Sequence, residues 1–398
     1  MTERLPTGQE THRYEALDAW RGVAALLVTA YHVPVAHALH AEAWYKNAVF
    51  FVDFFFVLSG FVIAHAYGHR LDTGLRAQGF MIRRFGRVWP LHIALLGGFV
   101  LLEIAKLLAS RFMTLPLDGA PFTADRSVEA LVGNVFLVQA LNIFGTTSWN
   151  TAAWSIGVEF YTYLLYAVAV LLFGPRTFMY LLLALIGATG VALFSDQWLA
   201  TTHDFGIFRC IYGFFLGSAT YSLVRSSSSR LLSSTGGEVG VILAMAIFLA
   251  FTGYDATSLF APLICAVVIY AFAAERGAVS GFMRTRPMQA LGLWSYSIYM
   301  VHLLIFSVEK MALTFVASKA PGLGLTAPVV SPVKLWSFGH AGLDFALFAI
   351  NIGLTLAVSA MTYRWIEAPA RDWFNGLARR WENRRPVRQA AVQPAARM

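Results

Sequence analysis

The chain is built from apolar stretches of about 20 residues, long enough to cross ~30 Å of hydrocarbon as helices, and the breaks between them hold nearly all of the charge. Ten such stretches are expected, at 16–37, 48–67, 83–109, 152–173, 177–195, 206–224, 237–253, 257–274, 288–316 and 341–363. Backbone amides in lipid must find partners within their own segment, so the predicted fold class is an all-α polytopic membrane protein with about ten transmembrane helices. Of the 398 residues, 58% are apolar or aromatic and only 13% are charged, about half the charge of a soluble domain. Mean hydropathy is +0.60. A water-soluble fold with a buried core and a polar shell is excluded.

A net charge of +8 would suggest nucleic acid in a soluble chain, but here the basic residues sort by loop. With the N-terminus in the cytoplasm, 21 of the 30 Lys and Arg fall in inside segments. Five lie outside (Lys46, Arg111, Arg126, Lys319 and Lys334), and Arg21, Lys106, Arg209 and Lys310 lie within helices. That asymmetry follows the positive-inside rule; it predicts an even number of spans, both termini cytoplasmic, and no nucleic-acid partner. The polar N-terminus has no signal-peptide core, which leaves the first helix as its own insertion signal. The expected divisions are an N-terminal segment 1–15, a transmembrane domain 16–374 and a basic cytoplasmic tail 375–398. Cys210 and Cys265 sit in apolar stretches and read as packing residues; metal-site spacing is absent. Two long outside breaks, 110–151 with an amphipathic stretch at 128–141 and 317–340, point to an acceptor or partner on the outer face.

A charge at membrane depth costs roughly 2.5–3.5 kcal/mol on insertion scales, so each one is a functional hypothesis. Arg21 and His32 are eleven residues apart on the first helix, which puts them on one face, ~16.5 Å apart along the axis. Asp53 enters the second helix at a depth similar to His32. It reads either as the partner that orients the imidazole or as an anion at a helix N-terminus; the pairing is preferred. Arg84 and Arg87 share a face and suit phosphate oxygens, although positive-inside flanking also explains them. The Trp89-Pro90 kink that follows favours the first reading. Glu159 lies two turns deep and needs a partner or an acceptor hydroxyl. Ser295 and Tyr299 share a face, with His302 three residues on; these are supporting or acceptor-side groups, or hydrogen bonds between helices. His37, His40, His65 and His69 read as interfacial, and Glu103 with Lys106 and Glu309 with Lys310 as snorkelling charges.

Six elements then appear in order: Arg-x10-His, VDFFFVLSGFVI, RRFGRVWPLH, WSIGVEFYTYLL, LGLWSYSIYMVH and YRWIEAPAR. Together, across residues 16–371, they resemble the integral-membrane acyltransferase 3 family. The resemblance implies transfer of an acyl group, most often acetyl from acetyl-CoA, to a hydroxyl of a sugar or glycan, in a bacterial inner membrane. It carries the family's essential arginine and histidine to Arg21 and His32, its hairpin aspartate to Asp53, its arginine pair to Arg84 and Arg87, and its glutamate to Glu159. Thr162 departs from the Phe-Tyr that many members have, and an appended hydrolase-like domain is not expected. The combined reading places acyl-CoA phosphates on Arg84, Arg87 and Arg21, with catalysis by His32 oriented by Asp53. Glu159 positions the acceptor or shares the proton; Ser295, Tyr299 and His302 support, and no metal is needed. The implied partners are the bilayer and the glycan, with a second copy of the chain or another envelope-biosynthesis protein left open. The competing class is a proton-coupled transporter or flippase of a glycan or small molecule, since buried His, Asp and Glu also relay protons. Inverted repeats with paired interrupted helices are not evident in the sequence.

Overall fold

The computed structural model describes residues 12–112, 119–227, 229–327, 329–330 and 333–384. Its main helices are α1 (Glu15–His32), α2 (Phe51–Tyr67), α3 (Gly74–Phe112), α4 (Trp154–Phe173), α5 (Thr177–Phe194), α6 (Gly206–Ser226), α7 (Thr235–Phe251), α8 (Ala261–Phe272), α9 (Arg286–Lys319), α10 (Ala341–Thr362) and α11 (Ala368–Glu382). Each of the ten expected apolar stretches contains or overlaps one of α1 to α10, although α1 stops at His32, five residues short of the expected 37, and the protein is an all-α polytopic membrane protein. Seven of these helices, α2 to α6, α9 and α10, are long and apolar enough to cross a membrane. The helices α7 and α8 are apolar but shorter, and α1 carries Glu15, Asp18 and Arg21 in its first two turns. Among the described residues the extended structure is slight: a two-residue antiparallel pairing of Val329–Val330 with Val333–Lys334, plus two isolated bridges.

The bundle is tied by α1 lying along α9, and by α6 packing between α2 and α5. Glycines permit both approaches. A methyl group at Gly22 of α1 would run into the backbone of Leu291 and Gly292, and one at Gly292 into Asp18. A methyl at Gly60 of α2 would meet the Phe214 carbonyl oxygen, and one at Gly217 of α6 the Val57 carbonyl. In lipid, where apolar burial drives helix association little, such backbone approach supplies the dispersion contacts.

The helix α3 has 39 residues, ~58 Å of helix, so it outruns the hydrocarbon. Its first turns are polar and were expected to lie outside the helix, which the apolar pattern starts at 83. They are helical because α11 docks along them. Glu382 pairs with Arg83 at 2.6 Å, the Trp381 indole donates to Gln78 at 2.7 Å, and Phe374 fills the space over Gly86. A π-helical turn, Tyr363–Glu367, joins α10 to α11 without a break. Residues 375–382 of the expected tail are therefore a packed helix, and those from 385 onward lie outside the described residues. The amphipathic stretch expected at 128–141 is a shorter helix, Val128–Val135, capped by Ser127.

Gly60→Ala is expected to lower the thermal unfolding midpoint in detergent, by an overpacking cost of about 1–3 kcal/mol. Gly353→Ala, which meets nothing within 4 Å, serves as the neutral control. An unchanged midpoint for Gly60→Ala would contradict the close-approach account.

Candidate active site

A cavity of about 120 Å³ opens between α1, α2, α3, α4 and α9. Arg21, Arg84, Arg87, Glu159, Ser295 and Tyr299, six of the nine residues singled out by sequence, line it. His32, Asp53 and His302 do not.

The cavity's cations differ in what holds them. Arg21 reaches from α1 to α9, its Nε donating to Ser295 Oγ at 2.8 Å and its Nη2 to the Gly292 carbonyl at 3.2 Å. Asp18, a turn earlier, is 3.8 Å away. Arg87 is paired with the carboxylate of Glu367, which is itself buried and accepts a hydrogen bond from Ser297 at 2.8 Å. Its guanidinium also lies 5.4 Å from the Tyr296 ring. Arg84 has no carboxylate partner among the described residues. It sits among the rings of Tyr67, Phe80 and Tyr163 at 5.4, 5.8 and 5.9 Å, and its buried Nε makes no hydrogen bond among them. Aromatic faces stabilise a cation without consuming its N–H donors. Arg84 is thus the cation best able to meet an anionic ligand, whereas Arg87 is already neutralised.

Glu159 faces the same space from α4. Tyr163, one turn on, donates to its Oε1 at 2.6 Å, and the Tyr163 hydroxyl is 3.0 Å from Ser59 Oγ on α2. Tyr299 is committed across helices, its hydroxyl donating to the Ala152 carbonyl at 3.1 Å and lying 2.9 Å from Ser155 Oγ. The inter-helix reading of Ser295 and Tyr299 therefore describes their contacts.

The pairing expected between His32 and Asp53 does not form. Both carboxylate oxygens of Asp53 are taken by Arg209 of α6, from Nε at 2.9 Å and Nη2 at 2.7 Å. Both side chains are fully buried. Arg209 also donates to the carbonyls of Thr201 and Val49 and lies 5.3 Å from the Trp154 ring. Asp53 stands in the first turn of α2, the helix N-terminus of the alternative reading, and its partner is on α6 instead of α1. His32 is oriented by its own helix: its Nδ1 is 2.8 Å from the Val28 carbonyl. A carbonyl oxygen only accepts, so the neutral ring carries its proton on Nδ1 and leaves the lone pair on Nε2. Among the described residues Nε2 has no hydrogen-bond partner. The His302 ring lies 5.1 Å from His32 and 6.0 Å from Tyr299, bridging the imidazole to the cavity wall. His302 is buried, and neither of its nitrogens makes a well-formed hydrogen bond among the described residues.

Arg209 and Glu367 are the charged residues that sequence reasoning passed over. The available signal was depth: Arg209 is a lone arginine inside an apolar stretch, and such a charge requires a partner. Among the described residues no cluster of three or more His, Cys, Asp or Glu is placed to hold a metal ion.

Breaking the Arg209–Asp53 pair from one side strands a buried charge, at a cost of about 3–5 kcal/mol. Arg209→Met and Asp53→Leu are each expected to lower the unfolding midpoint strongly, with the double variant recovering most of the loss. Additive effects in that cycle would contradict the pairing.

The family model described as an acyltransferase domain matches residues 14–364. Over 168 residues the chain is 33% identical to "Protein 2 in picA locus" of Rhizobium radiobacter, covering 39% of this chain and 81% of that protein. Over 411 residues it is 22% identical to the peptidoglycan O-acetyltransferase OatA of Listeria monocytogenes, covering 93% of this chain and 59% of that protein. No solved structure matches significantly.

Proposed function

The chain belongs to the acyltransferase 3 family, and on that premise we propose that it is a membrane O-acyltransferase. Acetyl is the favoured group, moved from cytoplasmic acyl-CoA to a hydroxyl of a sugar or glycan on the outer side. The observation that carries the reading is the Val28 carbonyl 2.8 Å from His32 Nδ1, which sets the tautomer. With Nδ1–H on the Val28 carbonyl, Nε2 is available as a general base, a role typically worth about 10²–10⁴-fold.

The acceptor O–H loses its proton to His32 Nε2 as its oxygen adds to the thioester carbonyl. Collapse of the tetrahedral adduct breaks the C–S bond, and the imidazolium returns its proton to the departing thiolate. Among the described residues no carboxylate pairs with His32, and its Nδ1–H is held by the Val28 carbonyl, which accepts from the imidazolium as it does from the neutral ring. Donor phosphates are assigned to Arg84 first and Arg21 second. Arg87, neutralised by Glu367, acts chiefly to hold α3 against α9 and the α10–α11 junction. The thin arm of the donor then has to pass Tyr299 and His302 to bring the thioester to His32. Glu159, beside Arg84 and hydrogen-bonded to Tyr163, lies at the donor end and is assigned to positioning there.

The reading places Arg84 and both termini on the cytoplasmic side of a ten-span chain in a bacterial inner membrane. What supports it is the family membership, the positive-inside distribution of Arg and Lys, and, among the described residues, a cation without a carboxylate partner at one end of the bundle with an imidazole nitrogen left without a hydrogen bond deeper in.

Purified protein given acetyl-labelled acetyl-CoA and an extract of surface glycans should move label into glycan. Glycan movement without label would restore the transporter reading. His32→Ala should fold and lose transfer by about 10²-fold or more. Arg84→Ala should raise the donor KM about tenfold or more, the value of a charge-assisted contact, and by more than Arg87→Lys does. Wild-type turnover in His32→Ala would sink the base assignment.

A further inference from the structure

A second cavity, of about 300 Å³, lies at the other end of α3 and α9. Arg87 and Glu103 are 16 residues apart on one helix, ~24 Å, so the two cavities sit near opposite ends of the bundle. The wall is strongly polar. Glu103 is 1% exposed, held by Lys106 Nζ at 2.7 Å and by the backbone N–H of Phe122 at 3.3 Å. Arg126 lies with its guanidinium 4.6 Å from the Phe99 ring centroid and 3.6 Å from Asp125. Its Nη1 is buried and has no hydrogen-bond partner among the described residues. Phe315 and Met311 supply an apolar edge.

A buried, unpaired N–H on a charged group is costly, about 1–3 kcal/mol or more, and a ligand acceptor would relieve it. The wall interleaves the carboxylates of Glu103 and Asp125 with Lys106, Arg126 and Lys310, so it presents acceptors as well as donors, and an apolar ligand would leave these polar groups desolvated. A sugar ring fits both demands, since its hydroxyls donate to carboxylates and accept from guanidinium, while its C–H face packs on Phe315 and Met311. The cavity is also near the imidazole. Lys310 of its wall is within electrostatic reach of His32, and Ser307, also in the wall, follows His302 by five residues, ~7.5 Å along α9.

We propose that this cavity is a saccharide subsite, holding a sugar unit of the acceptor next to the one that is acylated, with Arg126 and Glu103 as its reading residues. Its role as an acceptor subsite rests on the acyl-transfer reading; its saccharide chemistry rests on the cavity.

The test is calorimetric titration of the full-length protein in detergent with tetramers of N-acetylglucosamine and of glucose, alongside acetyl-CoA. At least one tetramer should bind the wild type. Arg126→Ala should weaken that binding about tenfold or more, the loss of a charge-assisted contact, with acetyl-CoA affinity unchanged and Arg126→Lys intermediate. Should Arg126→Ala fail to fold, Thr314→Trp, which fills the cavity from α9, carries the same expectation, with the unfolding midpoint as its control. Binding of neither tetramer by the wild type, or equal binding by wild type and variants, overturns the subsite. Saccharide binding that depends on Arg126 without any acyl transfer supports the subsite and removes the acyl-transfer reading.

Discussion

A charge inside hydrocarbon persists only if something inside the bundle neutralises or solvates it, and this protein uses two kinds of partner. Arg209 and Asp53 satisfy each other, as do Arg87 and Glu367. The first pair bolts α2 to α6, beside the glycine contacts that let those helices meet; the second bolts α3 to the junction of α10 and α11. Arg84, Glu159 and His32 make their closest contacts with neutral groups instead, namely aromatic faces, hydroxyls and a backbone carbonyl, and Arg21 adds to its Ser295 and Gly292 contacts only a loose pairing with Asp18 at 3.8 Å. A neutral neighbour solvates a charge or orients a ring without cancelling it. The first kind of residue holds the structure, and the second is left for a ligand.

That division accounts for the two-ended layout. The long helices α3 and α9 run through the whole bundle, each bearing polar groups at both ends. At one end Arg84 and Arg21 face a narrow cavity. Toward the other, the His32–His302 contact leads to a roomier polar one. On the proposed reading, a thin donor at one side and a bulky hydroxylic acceptor at the other meet the imidazole without either crossing the bilayer.

Hydropathy makes the helices legible because lipid imposes one requirement on every span, and all ten stretches proved helical. It misplaced the start of α3 and missed α11, since those turns are polar and are held by contacts such as Arg83 with Glu382, between distant parts of the chain. Charges could be assigned a depth from sequence but not a direction. Asp53 was expected near the start of the chain's second helix and stands in its first turn, yet its partner lies 156 residues away on α6, and that of Arg87 lies 280 residues away. The free cavity residues were legible for the opposite reason. Their isolation in apolar sequence is itself the signal, and six of nine share one cavity.

In the proposed mechanism His32 acts as base on the strength of its backbone hydrogen bond, without Asp53. The most direct test is acetyl transfer by a double variant, Asp53→Leu with Arg209→Met, that removes the buried pair together and folds. The account predicts transfer close to wild type in that variant. Loss of transfer as complete as in His32→Ala, in a protein with intact folding and donor binding, would contradict it.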